Sequence, residues 1–199
     1  MRKIITAAVT AVTLAIFTSC SAVGLKNGTS PNGLDETFSA EVEITLDEMT
    51  AQGKLCRYGN DMWDIEFSSP NTISGVLLSF EGGNAEASYK GLSFSVPQSA
   101  LPIKSMMSNL ISAADTLAKS EQLEGNEKDG NLEINGRLES GDYTLTVDKN
   151  GNIMRFEMPN NKLTMNFSEV TDISVPETAE STVPAETTAS ASQTTSQPQ

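Results

Sequence analysis

The chain of 199 residues sets 13 Lys and Arg against 26 Asp and Glu, a formal charge of −13, with no histidine and two cysteines. A surface this acidic lacks the basic stripe that displaces counterions from phosphates, so nucleic acid is not expected as a partner. Without histidine, Ser-His-Asp triads, Cys-His pairs and the usual zinc ligand sets are excluded, and neither catalysis nor a cofactor nor a metal is expected.

In chain order, Arg2 and Lys3 precede an uncharged run from Ile4 to Phe17. That run is too short to span a bilayer comfortably and fits the apolar core of a secretory signal. It ends in Phe17-Thr18-Ser19-Cys20-Ser21. This motif resembles the lipobox of bacterial lipoproteins, with Phe17 where Leu is commonest. The resemblance implies that residues 1–19 are a signal peptide and that Cys20 is the lipidation site, carrying diacylglycerol with chains of the palmitate kind. The expected location is extracytoplasmic, lipid-anchored to the cell membrane. Each buried methylene contributes about 0.8 kcal/mol, so the membrane becomes a partner through the anchor even though the charge opposes it.

Residues 20–36 read as the lipidated cysteine and a flexible tether, because Lys26-Asn27-Gly28-Thr29-Ser30-Pro31-Asn32-Gly33 offers almost nothing apolar. Residues 174–199 hold Thr, Ser, Ala, Pro, Glu and Gln without aromatic or basic side chains, and read as a disordered tail. Residues 37–173 between them are one domain's worth of chain.

Strand periodicity dominates that domain. Val42, Ile44 and Leu46 alternate with Glu41, Glu43 and Thr45, and Gly53 to Tyr58 is strand-like. Trp63-Ile65-Phe67, Val76-Leu78-Phe80, Ala85-Ala87-Tyr89 and Leu92-Phe94-Val96 continue the pattern. Pro102 to Ser120 breaks it, with Ile103, Met106, Met107, Leu110, Ile111, Ala114 and Leu117 at helical spacing behind a proline suited to a first turn. A second meander follows in Leu132-Ile134-Leu138, Tyr143-Leu145-Val147, Met154-Phe156-Met158 and Leu163-Met165-Phe167, with turns at Ser140-Gly141, Asn150-Gly151 and Asn160-Asn161. The expected fold is mainly β (α+β): a strongly curved antiparallel sheet or half-barrel of about ten strands wrapped on one central amphipathic helix.

The Gly-Lys strand, the Trp-Asp-Ile-Glu-Phe-Ser-Ser-Pro strand, the mid-chain helix and the closing meander with Val147-Asp148-Lys149-Asn150-Gly151 and Leu163-Thr164-Met165-Asn166-Phe167 resemble the LolA/LolB-type lipoprotein-carrier fold and its Gram-positive lipoprotein relatives. The resemblance implies a half-barrel whose concave apolar face, lidded by helices, accepts acyl chains or a protein segment; some clostridial relatives act in spore germination. It departs in lacking a helix before the first strand. The family's sheet arginine that reaches the lid is not placed by any motif, and Arg57 is not given that role. The expected function is a membrane-anchored extracytoplasmic lipoprotein that binds a lipid chain or an apolar protein segment in a groove between sheet and helix, at Met106, Met107, Leu110, Trp63 and Phe67. The alternative is a non-catalytic partner or scaffold module of a cell-envelope or sporulation/germination enzyme, with a filled sheet interior.

Other motifs read more plainly. Glu41 with Glu43, and Asp64 with Glu66, fit the polar face of amphipathic strands better than a catalytic pair. Asp148-Lys149-Asn150-Gly151-Asn152 begins like a calcium loop but has Ile153 and Pro159 where the loop needs Gly and Glu, so it reads as a hairpin turn. Cys56 reads as a small buried side chain.

Overall fold

The computed structural model describes residues 26–95 and 102–173. The proposed signal peptide, Cys20 and the tail from 174 lie outside them. Twelve strands form one sheet: β1 (Lys26–Pro31), β2 (Phe38–Leu46), β3 (Met49–Gly59), β4 (Met62–Ser69), β5 (Val76–Glu81), β6 (Asn84–Tyr89), β7 (Leu92–Ser95), β8 (Gln122–Lys128), β9 (Asn131–Leu138), β10 (Gly141–Val147), β11 (Ile153–Met158) and β12 (Leu163–Asp172). Among the described residues one α-helix, α1 (Pro102–Leu117), separates β7 from β8, and a 3-10 turn at Pro159–Asn161 joins β11 to β12.

The spatial order is β1-β8-β9-β10-β11-β12-β2-β3-β4-β5-β6-β7, and the neighbours pair antiparallel. The chain therefore leaves β7 at one edge and re-enters at β8 near the other, and α1 makes that crossing. Ala87 of β6 and Ile134 of β9 share one core cluster with Leu110 of the helix. Eight strand spacings separate β6 from β9, about 38 Å on a flat sheet, against a helix only about 10–12 Å wide. One continuous core shared by strands this far apart and by the helix requires a strongly curled sheet. This is the curved antiparallel sheet wrapped on one helix that the sequence predicts.

Alternation explains which face curls inward. Val42, Ile44, Leu55, Trp63, Ile65, Phe67, Leu145, Phe156, Leu163 and Met165 are all buried, while Glu41, Glu43 and Glu66 are exposed and Asp64 is half-buried. The carboxylate pairs thus lie on the outer face, as the polar side of a half-buried strand requires. On α1, Met106, Met107, Leu110, Ile111, Ala113 and Ala114 are buried. The helix ends at Leu117, short of the expected Ser120, although Ala118 N–H still donates to the Ala114 carbonyl at 2.8 Å.

Four readings need correction. The tether is not wholly loose: Lys26–Pro31 is strand β1, paired with β8 through a register that sets Gly28 opposite Gly125. Both strands escape periodicity because they carry almost no apolar side chains, and Leu123 alone among their large residues is buried. With these two, ten expected strands become twelve. Met154 does not alternate inward with Phe156 and is exposed, because a bulge pairs Val147 with Ile153 and turns Ile153 inward instead. Tyr89, expected inward with Ala85 and Ala87, and Leu92, expected inward in the next strand, lie exposed on either side of the β6–β7 turn. Cys56 is half-buried, in phase with outward Lys54 and Tyr58 rather than with Leu55 and Arg57.

The Asp148–Asn152 segment is the hairpin turn that the sequence predicts. Asp148 Oδ1 accepts the amides of Asn150 (2.8 Å) and Asn152 (2.9 Å), so backbone donors occupy this carboxylate oxygen. Gly151 at φ +86° has no room for a side chain, since a Cβ there would meet the Pro31 carbonyl oxygen and the Gly33 nitrogen.

Candidate functional site

The helix crossing leaves two distinct regions inside the half-barrel, a charged bridge towards its C-terminal end and an apolar cavity towards its N-terminal end. The meander places them at opposite ends of the sheet. The bridge lies by the β3–β4 turn at Asp61, and the cavity by the β2–β3 and β4–β5 connections.

The bridge joins Arg57 of β3 to Asp115 of α1, Nη2 to Oδ1 at 3.3 Å, with both side chains more than nine-tenths buried. Burying such charges is costly unless their hydrogen-bonding capacity is met. Asp115 Oδ2 accepts the Asp61 backbone amide at 2.8 Å and the Trp63 indole N–H at 3.4 Å. Arg57 Nη1 donates to the carbonyls of Asp35 (3.2 Å) and Glu36 (3.0 Å). The guanidinium also lies 5.5 Å from the Trp63 ring centroid, and Phe38 meets the same ring edge-on at 5.8 Å. Arg57 Nε alone is left without a partner.

No sequence motif gives Arg57 this role, yet two signals carry it. Arg57 falls in phase with Ala51, Gly53 and Leu55 on the inward face of β3. Asp115 falls eight residues after Met107 and four after Ile111, on the apolar stripe of α1. Opposite charges at two core-facing positions of facing elements are each other's natural partner.

At the other end, Ile44, Leu46, Met49, Pro70, Ile73 and Met106 line a cavity of about 300 Å3, with Thr50 and Thr72 among its few polar contributors. It exists because the β4–β5 connection, held by Ile73 and Ser74 amides donating to the Pro70 carbonyl, stands off from the β2–β3 hairpin. Met49 at its rim is exposed.

All five expected groove residues, Trp63, Phe67, Met106, Met107 and Leu110, join one buried cluster. They do not share one open groove. Trp63, Met107 and Leu110 have no exposed surface, and of the five only Met106 lines this cavity. Outside both regions, on the convex face, desolvation and the neighbouring Cys56 and Asp64 push Tyr58 up to about 12. Among the described residues no group of three or more His, Cys, Asp or Glu could hold a metal ion, and no helix is long and apolar enough to cross a membrane.

Neither a protein-family model nor a curated protein matches the sequence. Solved structures with a similar course of chain include a conserved protein from Thermus thermophilus (11% identity, TM-score 0.44, covering 72% of this chain and 83% of that one). A LolA superfamily protein from Nitrosomonas europaea aligns at 10% identity and TM-score 0.34 over 73% of this chain and 90% of its own. A DUF1329 family protein from Desulfovibrio piger aligns at 13% identity and TM-score 0.39 over 69% and 86%. At these scores the likenesses carry no argument about ligand or partner, and the fold rests on the strand order and register described above.

The bridge generates a stability prediction. Arg57→Met strands the Asp115 carboxylate and Asp115→Leu strands the guanidinium, so each single change should cost about 3–5 kcal/mol. The double variant should cost at least about 2 kcal/mol less than the two losses added together, because no unpaired charge remains. Urea unfolding followed by the emission of Trp63, the only tryptophan, measures all three. Additive losses would show that the two residues do not act as a pair.

Proposed function

We propose that this protein is a membrane-anchored extracytoplasmic lipoprotein that takes up part of a single acyl chain between the N-terminal half of α1 and the β2–β5 end of its sheet. The carrying observation is the apolar cavity beside Met106 and Ile73. Its volume of about 300 Å3 sits at the small end of ligand pockets, which run roughly 300–1,000 Å3, and suits one chain rather than a multiply acylated anchor. The lining offers hydrocarbon and two thioethers with few polar groups, so shape and apolar contact select the ligand. Met106 and Met49 add side chains that adapt to a flexible chain.

A second reading is favoured by the closed interior around Trp63, Met107 and Leu110. In it the protein acts as a non-catalytic partner module, working through the outer face that bears Glu41, Glu43 and Glu66.

Anchoring rests on the lipobox-like Phe17-Thr18-Ser19-Cys20. If Cys20 carries lipid, β1 begins at Lys26, six residues on, and a chain of that length reaches at most about 20 Å. The domain would then ride close to the bilayer with its β1 edge nearest.

Two experiments test these points. Wild-type protein should bind a fluorescent fatty acid in a saturable way, while Ile73→Trp and Met106→Trp should weaken binding about tenfold or more and leave the protein folded, because both fill the cavity. Absence of saturable binding by the folded wild type would transfer function to the outer face. For the anchor, Cys20→Ser should abolish incorporation of labelled palmitate and release the protein from membranes or leave it as precursor; unchanged labelling and fractionation would refute lipidation at this residue.

A further inference from the structure

The chain between β1 and β2 does more than connect them. β1 lies at one edge of the sheet and β2 near its centre, so residues 32–37 must cross the concave side to join them. On the way they touch the helix end and the charged bridge. Asn32 Nδ2 donates to the carbonyl of Leu117 (3.0 Å), which also accepts the Ser120 amide (3.0 Å), and to that of Ser120 (2.6 Å), just past the helix end. Asn32 Oδ1 accepts the Leu34 amide at 3.2 Å, and the Leu34 side chain is fully buried. The carbonyls of Asp35 and Glu36 then receive Arg57 Nη1.

β1 itself is weakly held. It pairs on one side only, and Ser30 is its one buried residue. Gly28 opposite Gly125 leaves no cross-strand side-chain contact at its middle. The Lys26–Glu127 ion pair is largely exposed and contributes little. Ser30 Oγ donating to the Asp148 carbonyl at 3.1 Å, and the close approach of Pro31 to Gly151, link it to the β10–β11 turn.

We propose that β1 and residues 32–37 form a clasp that opens as one unit with the C-terminal turn of α1, so that release of β1 from β8 frees the helix end and weakens the Arg57–Asp115 bridge. The coupling follows from the bonds above. When the strap lifts, Leu117 and Ser120 lose their shared donor, and Arg57 loses both carbonyl acceptors while still buried with Nε unpartnered. A guanidinium left with Asp115 and the Trp63 ring is short of acceptors and is driven towards water, and the helix end goes with it. Edge strands with few buried contacts belong to the low-stability units that open ahead of the core. This inference concerns the motion of the fold and stands whether or not an acyl chain is the ligand.

Thr29 and Glu124 are exposed and directly opposite each other across β1 and β8, a separation that a disulfide spans. In the full chain carrying Cys20→Ser and Cys56→Ser, the pair Thr29→Cys and Glu124→Cys should lock the clasp on oxidation. Hydrogen exchange of the Asp115–Ala118 amides should then slow by about tenfold or more relative to the reduced form, with β3 and β4 unchanged. Equal exchange in the two forms overturns the proposal. Should that variant not fold, Asn32→Ala supplies a second test. The amides of β1, which the Asn32 side chain does not bond, should accelerate by the same factor as the helix end; acceleration of the helix end alone overturns the proposal.

Discussion

A buried arginine facing a buried aspartate fixes how this sheet and this helix meet. Hydrophobic burial draws the stripe of α1 onto the concave face, but apolar contact is non-directional and would tolerate sliding or rotation of the helix. The Arg57–Asp115 pair does not tolerate it. A shift by one helical turn would separate the charges by about 5 Å and leave both in an apolar interior, a cost of several kcal/mol. The surrounding donors sharpen the constraint, since the Asp61 amide and the Trp63 indole both address Asp115 Oδ2. The pair thus sets register, and breaking it costs more than making it contributes.

From that fixed point the rest of the interior follows. Near the bridge, Trp63, Leu110, Ala113 and Ala114 close the space completely. Towards the other end of α1, Asn109 Oδ1 accepts from Ser140 Oγ at 2.8 Å, and the β4–β5 connection leaves a cavity beside Met106. A tight end and an open end on one helix make a lid with a hinge side. The strap through Asn32, Leu34 and the carbonyls of Asp35 and Glu36 reinforces the tight end from outside.

Most of the architecture was legible because most strands carry large apolar residues at every second position. Val42-Ile44, Trp63-Ile65-Phe67 and Leu145-Val147 could hardly lie otherwise in water, and Pro102 with its 3–4 spaced apolar residues could hardly be a strand. β1 and β8 were not legible, because a strand held by backbone pairing at a polar edge leaves no trace in hydropathy. Met154 misled through a bulge, which inserts one residue and reverses the phase. The groove residues were chosen for apolar character, which identifies a core but cannot distinguish its filled part from its open part. That distinction depends on how far a connection such as Pro70–Gly75 stands away, a feature of backbone geometry. Arg57 and Asp115 were readable in phase alone, yet their partnership requires knowing that β3 faces α1.

One end of α1 borders an open cavity and the other a closed, charge-pinned interior. Methionine side chains sample both. Met49 and Met106 line the cavity, while Met107, Met158 and Met165 are buried outside it. Methyl-labelled methionine spectra recorded during titration with a long-chain fatty acid would report each site separately. The signals of Met49 and Met106 should move together and saturate, with Met107, Met158 and Met165 unmoved. Shifts at Met107 with none at Met106, or a spectrum unchanged throughout, would contradict the account.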